Sequence, residues 1–82
     1  EILEQFRFQL QKVANQYELS KLVKDTRDQL FILTGGHKIL FDLRSFEKRL
    51  KNPLTSEEEQ ELRNQLLQKI EEWKAEFSSY PT

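Results

Sequence analysis

Arg44, Lys48 and Lys51 fall at i, i+4 and i+7, with Arg49 beside them, so a helix through this stretch carries a positive stripe. Such a stripe can meet phosphates or carboxylates. Aromatic residues for stacking single strands are not interleaved with it, which favours a solvated face or pairing with the chain's own acidic helix over nucleic acid, with an acidic protein partner behind both. Trp73 and Phe77, with Tyr80 beyond, give the C-terminal region its aromatic residues. At helical spacing they read first as core and second as an interface. Arg44, Lys48, Arg49, Lys51, Trp73 and Phe77 are therefore the candidate interaction residues.

Catalytic chemistry finds less support. His37 is the sole histidine and sits beside Gly35-Gly36, but nothing near it supplies the nucleophile or orienting carboxylate of a dyad or triad. It reads as an exposed turn residue. Glu57, Glu58, Glu59 and Glu61 lack the glycine and alternating oxygen ligands of a calcium loop, and no Glu-x-x-His points to a di-iron site. They read as the acidic first turn of a helix. Gly35-Gly36 lacks the lysine and hydroxyl spacing of a phosphate loop. With no cysteine, thiolate metal sites, disulfides and cysteine nucleophiles are all excluded. The reading is a non-enzymatic chain with no catalytic, cofactor-binding or metal-binding residues.

Eighty-two residues make one small domain, residues 1–82, with modest stability to spare. Hydrophobic residues at 37%, six of them Phe, set it apart from disordered chains, while 33% charge and a mean hydropathy of -0.76 give it a heavily solvated surface. No segment approaches the roughly 20 apolar residues of a membrane span, and no signal peptide is seen. The absence of cysteine fits a reducing, cytoplasmic setting. Beginning at Glu1 and not at Met, the chain reads as a processed product or a domain cut from something longer. Net charge is -1, too small to attract a polyanion by itself. Its distribution is uneven: positives exceed negatives by three between His37 and Leu54, and negatives exceed positives by four from Thr55 onward. The two segments are expected to face each other within the fold or across a dimer.

These side chains must be positioned by elements that the apolar spacing outlines. Leu3, Phe6, Leu10, Val13 and Tyr17 keep a 3-4-3-4 rhythm, and Leu19, Val23, Thr26 and Leu30 continue it on a rotated face. No Gly or Pro interrupts, so one long N-terminal helix with a stutter is expected, with a break at Ser20 as the alternative. Leu30–Thr34 and His37–Phe41 around Gly35-Gly36 read as a β-hairpin, since a type I′ turn needs positive φ at both central residues. Asp42 would cap a short helix carrying Leu43, Phe46 and Leu50, which Asn52-Pro53 ends. Thr55 with Glu58, or Ser56 with Glu59, forms a capping box for a last helix to Phe77, its stripe Leu62, Leu66, Ile70, Trp73 and Phe77. Residues 78–82 read as a frayed tail.

The expected fold is mainly α with a small β-hairpin, in the order α-β-β-α-α. The alternative is an all-α helical bundle in which Gly35 ends one helix and the next begins near His37. Both faces of the hairpin and both facings of the long helix need cover, so the functional expectation is a protein-protein interaction or regulatory module, an adaptor that pairs as a homodimer. The second reading is a small nucleic-acid-binding regulator acting through the basic stripe.

Overall fold

A computed structural model describes residues 2–36 and 38–78, the side chains of Phe77 and Ser78 apart. Among the described residues it is all-α, with four helices: α1 Ile2–Leu10, α2 Gln16–Thr34, α3 Ile39–Leu50 and α4 Ser56–Ser78. His37 and the tail at 79–82 lie outside the described residues, so the turn histidine and the frayed end, Tyr80 included, are left as expectations.

The expected long N-terminal helix is two helices. The change of facing is a break at Asn15, whose extended backbone (φ -150°, ψ 174°) starts α2. Its side-chain oxygen accepts the Glu18 N–H at 2.9 Å, while the Glu18 carboxylate accepts the Ala14 N–H at 2.7 Å. This reciprocal cap of Asn and Glu starts α2 afresh after α1 has ended at Leu10, and it contributes about 1 kcal/mol. Tyr17, expected on the buried stripe, stands 78% exposed in the first turn of α2.

The β-hairpin is also replaced, by the helical corner. Gly35 takes the left-handed conformation (φ 73°) and donates its N–H to the Phe31 carbonyl, closing α2. Thr34 Oγ1 donates to the Leu30 carbonyl at 2.7 Å and accepts the Gly36 N–H at 3.3 Å. Positive φ at two glycines serves a helix end as well as a hairpin, so the pair could not decide between them. The helical spacing of Ile39, Leu43, Phe46 and Leu50 decides it, because all four are buried. α3 begins at Ile39, ahead of the expected cap Asp42, and Lys38 at its start supplies no side-chain cap. The Thr55 box is present as read: Thr55 Oγ1 accepts the Glu58 N–H at 3.1 Å and Glu58 accepts the Thr55 N–H at 3.0 Å.

Chain direction alternates through the bundle. Glu4 with Lys74 and Arg7 with Glu71 set α1 antiparallel to α4. Arg27 with Glu47 sets α2 against α3, and Arg49 with Gln65 sets α3 against α4. Each helix gives one apolar stripe to a common core: Leu3, Phe6 and Leu10; Leu19, Leu22, Val23 and Leu30; Ile39, Leu40, Leu43, Phe46 and Leu50; Leu62, Leu66, Ile70 and Trp73. The product is elongated, 41 × 18 × 16 Å.

One amide ties the end remote from the Gly35 corner. Gln16 Nε2 donates to the Leu50 and Asn52 carbonyls at 2.8 and 2.7 Å, and its Oε1 accepts the Leu54 N–H at 3.0 Å. α3 is thereby given a partner for a terminal carbonyl that no helical N–H reaches.

Candidate interaction surface

The six sequence-derived candidates separate. Arg44, Lys48 and Lys51 are exposed along one side of α3 and hold no ion pair among the described residues. Arg49 leaves the stripe for the α3–α4 seam, where its Nη1 donates to Gln65 Oε1 at 2.8 Å and its guanidinium lies 5.5 Å from the Phe46 ring centroid. Trp73 is 2% exposed and belongs to the core, its indole N–H donating to Asp42 Oδ2 at 3.3 Å. The Asp42 carboxylate thus serves the tryptophan and not a helix cap. The Phe77 side chain lies outside the described residues.

The expectation that basic and acidic segments face each other is met at one ion pair of the described residues, Lys38 with Glu76 at 3.2 Å. The α3 stripe instead borders α2. Between the two helices an open cleft of about 590 Å³ is lined by Tyr17, Ser20, Lys21, Lys24, Asp25, Glu47 and Lys51. Glu47 is neutralised by Arg27 at 2.8 Å, and Arg27 also reaches Asp28 at 3.2 Å. Lys21, Lys24 and Lys51 hold no ion pair among the described residues, so the cleft carries an excess of positive charge around one exposed phenol.

At the other end of the same helix pair is a surface that the sequence reading did not select. Phe31, Ile32 and Leu33 are 55%, 84% and 69% exposed, and Phe41 on the first turn of α3 is 71% exposed. Consecutive helical residues are about 100° apart, so three in a row cannot all face one core. Leu30 and Thr34 turn inward and the three between them stand out at the end of α2. The cue was legible in the run of Phe31, Ile32 and Leu33, but a two-sided hairpin absorbed it. Phe8, 58% exposed on α1, differs because the Lys12 ammonium covers its ring at 4.1 Å. Together the four corner residues leave on the order of 500 Å² of mostly apolar surface in water, spread around the end of α2 and the start of α3, since Phe31 and Leu33 point about 160° apart.

The corner is edged by charges of both signs. A small cleft of about 270 Å³ is lined by Phe31 and Leu40 with Arg27, Asp28 and Arg44. Among the described residues no cluster of His, Asp and Glu is placed to hold a metal ion, and no helix is long and apolar enough to cross a membrane. Comparison with family models, curated proteins and solved structures finds no match.

Proposed function

We propose that this chain is a non-enzymatic protein-protein interaction module that pairs with a second copy of itself through the α2–α3 corner, and that it serves as an adaptor or regulator in the paired form. The observation behind this reading is the exposure of Phe31, Ile32, Leu33 and Phe41 while sixteen other large apolar residues are buried in one core. A protein that can bury so much has no folding reason to leave these four in water.

A second copy suits the corner because its edge is self-complementary. Arg44 and Asp28 line one cleft with Phe31, so a twofold arrangement about that residue can set the arginine of one protomer against the aspartate of its partner. The patch supplies the apolar centre of an interface that buries about 800 Å² per partner, with the charged edge as its rim.

Light scattering across a concentration series tests this. The wild-type chain is expected to reach twice its monomer mass and to keep it at high salt, since burial of apolar area drives the pairing. Ile32→Glu with Leu33→Glu is expected to be a folded monomer with unchanged helical circular dichroism. A wild-type chain that stays monomeric at high micromolar concentration overturns the reading.

The sequence also admits a nucleic-acid-binding regulator. Asp25, Asp28 and Glu47 stand among the cations on the α2–α3 side, where a continuous phosphate backbone would meet them. That arrangement and the net charge of -1 favour protein as partner.

A further inference from the structure

We infer that the basic cleft between α2 and α3 is a docking groove for an acidic amphipathic helix of a different protein. This rests on reading the chain as an interaction module but uses a surface at the far end from the corner. Tyr17 and Ile32 lie fifteen positions apart on one helix, roughly 22 Å at 1.5 Å per residue.

Charge and shape together specify the occupant. Tyr17, Lys21 and Lys24 follow i, i+4, i+7 along α2, while Arg44, Lys48 and Lys51 follow the same spacing along antiparallel α3. Lys21, Lys24 and Lys51 come together at the cleft and Lys48 continues the α3 row, while Arg44 belongs to the edge of the corner. None of the four cations Lys21, Lys24, Lys48 and Lys51 is paired among the described residues, whereas Arg27, which lies deeper, is held by Glu47. An acidic helix lying in the cleft can present carboxylates at i, i+3, i+4 and i+7 to either row.

The cleft also offers contact area that charge alone would not. The Tyr17 ring, 78% exposed, gives a bound helix a flat apolar surface ending in a hydroxyl. Lysine stems beside it provide aliphatic walls while the ammonium groups stay in water. Asp25 in the lining selects for a ligand whose negative charges are spaced. Glutamates on a helix can be spaced to avoid it, and the regular phosphates of a nucleic acid cannot.

The test uses the full-length chain and its Ile32→Glu/Leu33→Glu form with three probes followed by fluorescence anisotropy. They are an acidic amphipathic helical peptide of about 14 residues, roughly 21 Å long, its lysine-for-glutamate counterpart, and a short DNA duplex. The acidic peptide is expected to bind both forms equally and the basic peptide neither. Lys21→Glu with Lys24→Glu is expected to weaken binding by about tenfold or more, while the charge-matched pair Lys12→Glu with Lys69→Glu, on other faces, changes it by less than about twofold. Amide shift changes should centre on Tyr17, Lys21, Lys24 and Lys51.

DNA that binds more tightly than the acidic peptide, or equal losses from the two charge-reversed pairs, overturns the proposal. Growth of the corner variant into larger assemblies at low salt also overturns it, by placing the acidic first turns of α4 from a second copy in the cleft. Self-association by wild type without peptide binding defeats the groove alone, and peptide binding by a chain that stays monomeric defeats the corner pairing alone.

Discussion

Gly35 concentrates the cost of turning the chain between α2 and α3 in one backbone conformation. At φ 73° an added Cβ would meet no atom within 4 Å, so alanine there adds no clash and leaves only the left-handed strain. Gly35→Ala is therefore expected to lower stability by about 1–2 kcal/mol. Gly35→Asn should recover part of it, because asparagine tolerates that region. Urea denaturation of the three proteins measures both differences, and a loss well above this range for alanine would mean that the corner packs more tightly than its open surroundings imply.

At the scale of elements, α1 shows how a short helix is held. Nine residues are too few to be helical alone in water. Leu3, Phe6 and Leu10 anchor it in the core, and two ion pairs to α4 flank them. The hydrogen bond and charge of Lys74, with a smaller effect of Arg7, hold the Glu4 carboxyl below its ordinary pKa, and the same contact with Glu4 raises that of Lys74. A lowered carboxylate contributes stability above its unfolded-state pKa and loses it as pH falls through the folded value. A raised lysine contributes below its unfolded-state pKa and loses it as pH rises through the folded one. Glu4→Gln is thus expected to lower the urea midpoint modestly at neutral pH and to match wild type in strong acid.

The helices themselves were largely legible in the sequence. The α4 stripe from Leu62 to Trp73 and the Thr55 cap follow directly from residue spacing, whereas the start of α3 does not, because the hairpin reading takes Ile39 and Leu40 into a strand. The α1–α2 break is legible only as an alternative, at Ser20; the change of facing and the Asn15–Glu18 spacing both mark it, but the absence of Gly or Pro outweighs them. At the site, the exposed stripe of Arg44, Lys48 and Lys51 could be seen on one helix. The cleft could not, because Lys21 and Lys24 join it only through the antiparallel packing of α2 on α3.

On the scale of the whole molecule, the two surfaces lie toward opposite ends of a body 41 Å long. Pairing through the corner would therefore make thermal stability depend on concentration, since a dimer gains from mass action what a monomer does not. The wild-type melting temperature is expected to rise with protein concentration, and that of Ile32→Glu/Leu33→Glu to stay constant. Calorimetry over a hundredfold range of concentration checks it.

The Gln16 amide has a consequence for how fast the chain comes apart. Its three hydrogen bonds join residues 34, 36 and 38 positions distant, so they form only after α2 and α3 have closed against each other. Contacts made after the rate-limiting step govern unfolding and leave folding alone. Gln16→Ala should fold at the wild-type rate and unfold about tenfold faster, the loss of roughly 1.4 kcal/mol of hydrogen bonding appearing in one limb of the chevron. Equal changes in both limbs would instead place the Gln16 bonds within the rate-limiting step.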